Sequence, residues 1–116
     1  MSTIKQTSLQ DGKIIVLELR GNYVGGDETD ELRDTIKKVS EAGNLKLVID
    51  LGEVSYLNSS ALGVLIAAHA NYTKRSGKVM LCRLNKNLEN LFVITKLSLI
   101  FDSYSNQVEA IAGFSN

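Results

Sequence analysis

Apolar positions along the chain fall into runs with two different periods. After the Asp11-Gly12 dipeptide, Ile14, Val16, Leu17 and Leu19 form a run rich in β-branched residues, and Asp-Gly before such a run is a hairpin signal. Residues 3–9 and 13–20 are therefore expected to be two strands joined by a tight turn, with Gly21 ending the second strand and Gly25-Gly26 forming a flexible loop. From Asp27 to Ala42 the period lengthens: Leu32, Ile36 and Val39 share one side of a helix. Asp27, Glu28, Asp30 and Glu31 crowd its start while Lys37 and Lys38 lie near its end, which suits the helix dipole. Gly43 is placed to stop it.

Leu45 to Leu51 is nearly continuous in apolar residues, the pattern of a strand covered on both faces. A short loop then leads to a helix from Ser60 to Arg75, ended by Ser76-Gly77, and to a strand from Lys78 to Leu84. Strand, helix and strand within about 40 residues make a βαβ unit with a right-handed crossover. Asn87 to Lys96 predicts a third helix with Leu88, Leu91 and Phe92 on one side. A short strand near Phe101 and a last helix over Gln107 to Ala112 follow. Without an internal repeat, a proline or a linker-like stretch, residues 1–116 read as one α/β domain. A mixed sheet of four to five strands packed against about four helices is expected.

Composition narrows the function. At 116 residues and 44% hydrophobic, the chain can build a core without metals or disulfides. Thirteen basic and thirteen acidic residues cancel, so neither the basic excess nor the basic stripe of a nucleic-acid binder is present. The lone Cys82 rules out an internal disulfide and a CxxC motif, and its apolar surroundings suit a small core residue. The first ten residues carry no signal-peptide core, and the Ala61–Ala68 apolar run falls far short of the ~20 residues of a membrane span. A cytoplasmic chain with no membrane contact is expected. One histidine and no acid–base cluster leave little for catalysis. His69 alone is a packing or surface residue rather than a metal ligand. Neither a GxSxG elbow nor a GxxxxGK[ST] loop occurs.

The informative stretch is residues 50–64, where Asn58-Ser59-Ser60 separates a buried strand from a very apolar helix. Ser or Asn at that position caps a helix by accepting from its first free N–H groups. The same position also suits a switch. A phosphate on Ser59 would add about −1.5 to −2 charges at the positive end of a helix dipole. The fold would tolerate it, whereas a partner surface built over an uncharged serine would not.

Asp50-Leu51 followed by Asn58-Ser59-Ser60-Ala61-Leu62-Gly63 resembles the signature of the STAS domain, in particular the anti-sigma-factor antagonists, whose motif runs Asp-Ser-Ser/Thr-Gly-Leu-Gly. Gly21 and the segment from Leu91 to Phe101 extend the resemblance over almost the whole chain. It implies a non-enzymatic protein that works by partner switching and needs no cofactor. Unphosphorylated, such an antagonist binds an anti-sigma factor that is also a serine kinase; phosphorylation at the first serine, here Ser59, breaks the complex, and a phosphatase restores it. Asn58, Ser59, Ser60, Leu57, Leu62 and Val64 (or Leu65) are the expected partner-binding residues, and exposed apolar residues there would favour a weak homodimer.

Three positions depart from the family pattern. Asn58 replaces the acidic residue, which keeps a cap but removes a charge that could orient the hydroxyl or Mg²⁺ at the kinase. Val24 stands where many members carry Asp, with Asp27 as a positional substitute. Ala61 replaces a glycine and implies ordinary helical geometry. Asn58 favours a second reading, a constitutive STAS subunit of a lipid ABC transporter or signalling scaffold. A third reading, an enzyme or small-ligand binder, would require a deep pocket lined by polar groups.

Overall fold

The computed structural model describes residues 3–24 and 26–115. Met1, Ser2, Gly25 of the expected glycine loop and Asn116 lie outside the described residues. Five strands form one sheet in chain order, β1 (Ile4–Leu9), β2 (Ile14–Tyr23), β3 (Lys46–Leu57), β4 (Lys78–Cys82) and β5 (Asp102–Tyr104). The first pair is antiparallel and the other three pairs are parallel. The helices are α1 (Asp27–Glu41), α2 (Ser59–Lys74), α3 (Lys86–Ile94) and α4 (Gln107–Gly113), with a 3-10 turn at Leu97–Leu99. This is the expected mixed sheet with four helices.

Several element ends shift by one or two residues, among them α2, which starts at Ser59 rather than Ser60, and three differences matter more. The hairpin connection is four residues long, from Gln10 to Lys13, and Gln10, Asp11 and Gly12 all take positive φ. Gly21 does not end β2: with φ +102° it lies inside the strand, which runs on to Tyr23. The expected loop after Leu51 is also strand, since β3 continues to Leu57.

Core residues divide by sheet face. On one side Leu17, Leu19, Leu47, Ile49 and Leu51 pack with Leu32, Ile36 and Val39 of α1, with Leu65 and Ala68 of α2, and with Leu88 and Phe92 of α3. On the other, Ile14, Val16, Val48, Met80 and Cys82 are covered by Ala110, Ile111 and Phe114 of α4 and its end. Both faces of β3 are thus buried, as its continuous apolar run requires. Cys82 is fully buried, and burial pushes its thiol up to about 12, so it acts as a core hydrophobe. His69 sits half-buried with its ring edge-on to Phe101 at 5.2 Å, a packing role.

Candidate functional site

The turn between β3 and α2 is built on Tyr23 and Asn58. β2 and β3 stay paired to their last residues, Tyr23 opposite Leu57. The Asn58 N–H then donates to the Tyr23 carbonyl at 2.8 Å, which pins the turn to the end of β2. Tyr23 is itself fixed: its buried hydroxyl donates to Thr3 Oγ1 at 3.0 Å, and the Thr3 hydroxyl donates to Glu31 Oε1 at 2.6 Å. Burial raises the Tyr23 pKa, so the phenol stays a neutral donor. Thr3, just before β1, and Glu31 of α1 therefore brace the strand end that carries the turn.

Asn58 is the helix cap. Its extended backbone (φ −85°, ψ 179°) turns Oδ1 toward the first free amides, and it accepts from the Ala61 N–H at 2.9 Å. The capping reading therefore falls on Asn58 and leaves Ser59 without that task. Ser59 and Ser60, the first two residues of α2, are exposed, and neither hydroxyl makes a hydrogen bond among the described residues. The first turn of α2 holds no acidic side chain, whereas α1 begins with three. Apart from the Asn58 cap, no negative side chain in that turn offsets the positive helix end where Ser59 sits. Ala61 is buried in ordinary helix, as its identity implied.

The expected apolar contacts are corrected by the structure. Leu57, Leu62 and Val64 are only 1%, 8% and 7% exposed, and Leu65 is fully buried. Leu57, Leu62 and Leu65 pack into the core, and Val64, though nearly buried, lines the floor of the groove between α1 and α2, so none of them projects outward. An apolar helix gave no sign of its sides in the sequence. The outward stripe that continues from Ser59 is Gly63, Ile66, Ala67 and Ala70, spaced three and four residues apart. Ile66 is its one large side chain, 40% exposed, and no charge interrupts the stripe.

Val24 is 60% exposed and directly follows the residue that holds Asn58. Asp27 is exposed at the start of α1. Between α1 and α2, Ser60, Gly63 and Ala67 line a groove of about 650 Å³ with Arg33 and Lys37 opposite. It is open and shallow rather than a deep polar pocket. No group of side chains suited to a metal ion occurs among the described residues, and none of their helices is long and apolar enough to cross a membrane.

A family model described as the STAS domain matches residues 5–110. The anti-sigma-B factor antagonist of Listeria monocytogenes is 34% identical over 84 residues, which is 69% of this chain and 74% of that protein. Among solved structures, a Thermotoga maritima protein superposes with a TM-score of 0.89 at 17% identity, covering 97% of this chain and 95% of its own. Phosphorylated SpoIIAA of Bacillus, a cell-fate determinant, gives 0.75 at 14% identity, covering 96% and 98%. These two likenesses show the fold, which includes a sheet and helix set of the same kind. With the motif, the family match and the Listeria relative in agreement, the chain belongs to the STAS-domain family, in its anti-sigma-factor antagonist branch.

Proposed function

We propose that the protein is a phosphorylation-controlled binding module that, unphosphorylated, holds an anti-sigma factor with serine-kinase activity and lets it go when Ser59 is phosphorylated. A phosphatase resets the module. The protein performs no catalysis of its own and needs no cofactor or metal, since the ATP belongs to the kinase. The reading places it in the cytoplasm, where a sigma factor works.

One observation carries this reading. Ser59 is exposed, and its hydroxyl makes no hydrogen bond among the described residues, at the start of a 16-residue helix whose first turn holds no acid. A phosphate there meets the helix dipole and free solvent, so the fold accommodates about −1.5 to −2 charges at little cost. The neighbouring stripe of Gly63, Ile66 and Ala67 carries no charge of its own, while Arg33 and Lys37 lie across the groove that Ser60, Gly63 and Ala67 line. A partner that covers Ser59 and presents no cation to it would have to desolvate the phosphate unpaired, which costs about 1–3 kcal/mol or more. Asn58 acts here through the cap. The Bacillus neighbour, solved in phosphorylated and unphosphorylated forms, supports a fold able to exist in both states.

Asn58 in place of an acid favours a second reading, a STAS subunit that binds constitutively in a transporter or scaffold. One experiment separates them. Incubation with the cognate kinase and ATP, followed by mass spectrometry, should add one phosphate to the wild type and none to Ser59→Ala. No adduct on the wild type, or an adduct retained by Ser59→Ala, removes the switch assignment from Ser59.

A further inference from the structure

The outer half of β3, which leads directly into the serine turn, does not follow strand alternation. Leu51, Val54 and Leu57 all face the helix-covered core, at intervals of three where a regular strand allows two. Pairing with β2 shows why. Glu18 lies opposite Asp50 but Arg20 lies opposite Glu53, so β3 spends one extra residue between them. Gly21 opposite Val54 and Asn22 opposite Tyr56 mark a second extra residue. Each is a bulge, and a bulge shifts the phase of everything beyond it. Without the first, Glu53 would turn into the core, and Leu57 would turn out with the Asn58-Ser59 turn behind it.

The first bulge is held by a cluster on the opposite sheet face. Asp50, with its side chain 3% exposed, accepts from the Gly52 N–H through Oδ1 at 2.8 Å, which satisfies an amide at the bulge. Its other oxygen accepts from Gln107 Nε2 at 2.7 Å and from Arg83 Nη1 at 3.4 Å. The Gln107 amide also donates to Glu18 Oε1 at 3.2 Å, linking the two carboxylates that face each other across β2 and β3. The Arg83 guanidinium lies over Gly52, and a Cβ there would come within 2.3 Å of it. Arg83 adopts this position with φ +61°, a left-handed conformation costing a non-glycine residue about 1–2 kcal/mol. Its N–H donates to the Tyr104 carbonyl at 3.0 Å, which ties that strained residue to β5.

We propose that Asp50, Arg83 and Gln107 are positioning residues for the serine switch: they fix the bulge at Gly52 and thereby the phase in which β3 delivers Asn58 and Ser59. The proposal rests on the reading of Ser59 as the switch. It makes α4 and the end of β4 part of the switch although neither carries the serine. The cluster touches no partner in this account. It acts only through the strand.

The test uses the isolated, ¹⁵N-labelled protein and its affinity for the anti-sigma factor. Gly52→Ala displaces the Arg83 guanidinium, and Arg83→Ala removes it, so both variants should move the same backbone amides. These are the amides of Val54, Asn58, Ser59 and Ala61, while those of Lys46 to Ile49 stay in place. The double variant should move them no further than either single one, because both changes break one contact. Affinity should fall about five-fold or more, while Arg83→Lys should recover part of it. Gln107→Ala, which removes one donor at the half-buried end of α4, should move the same amides and serves should either of the other variants fail to fold. The proposal is overturned if the Asn58 to Ala61 amides stay put in variants whose Val54 amide has moved, or if they move with no change in affinity. Should the wild type not bind the anti-sigma factor, the partner-switching reading fails and the functional half of this proposal with it, while the amide shifts still decide the structural half.

Discussion

A helix cap needs a short side chain with an acceptor that can reach back to the amide three residues on, and Asn58 meets that need at 2.9 Å. Its consequence for Ser59 is indirect but decisive. With the cap made by its neighbour, Ser59 is exposed and its hydroxyl has no hydrogen bond among the described residues, which is what the proposed phosphorylation requires. Two substitutions separate capping from charge. Asn58→Ala should lower stability by about 0.5–2 kcal/mol, read from urea unfolding. Asn58→Asp should keep the stability, because Asp caps as well as Asn, and should raise the rate of Ser59 phosphorylation by restoring a negative charge beside the hydroxyl. A slower or unchanged rate in Asn58→Asp would mean that the acid at this position has no part in the transfer. The serine and its cap were legible from residues 58–60 alone. Which of the two made the cap was not, since Ser and Asn are equally good at it.

At the scale of elements, the pieces that followed one period throughout were legible in the sequence. The α1 stripe of Leu32, Ile36 and Val39 is buried as its spacing required, and the run predicted over Leu45 to Leu51 is buried on both faces from Leu47 on, Leu45 lying exposed before the strand. What escaped were places where the period breaks. Val54 and Leu57 are spaced for neither a strand nor a helix, because two bulges shift them, so the outer half of β3 resembled a loop. Helix α2 gave the opposite difficulty. It is apolar nearly all round, so nothing in its sequence told the buried Leu62 and Val64 from the outward Gly63, Ile66 and Ala67. Its end is better defined. Ser76 takes the left-handed position, and the Gly77 N–H reaches back to the Tyr72 carbonyl at 2.7 Å. Gly77 is held by space: a Cβ would lie 2.7 Å from the Leu45 carbonyl oxygen and 3.1 Å from its Cα, both backbone atoms. Gly77→Ala should therefore destabilise by about 1–3 kcal/mol, the cost of forcing backbone apart. A urea midpoint equal to that of the wild type would show that the two segments can separate freely.

Taken whole, the molecule has an asymmetric design. Three helices cover one face of the sheet and a seven-residue helix covers the other. The serine turn sits at the end of β3, whose inner half is buried on both faces while Glu53, Ser55 and Tyr56 next to the turn are exposed. On the proposed reading, a charge added at the exposed Ser59 disturbs what binds there and little of the fold. That separation between a fold that tolerates the phosphate and an interface that does not is the central claim. It is tested most directly by calorimetric titration of the anti-sigma factor with unphosphorylated and Ser59-phosphorylated protein, alongside their melting curves. The account predicts matching melting temperatures and binding weakened by about 1–3 kcal/mol, or roughly 5–150-fold, on phosphorylation. Equal affinities for the two forms, or a phosphorylated form that melts well below the other, would contradict it.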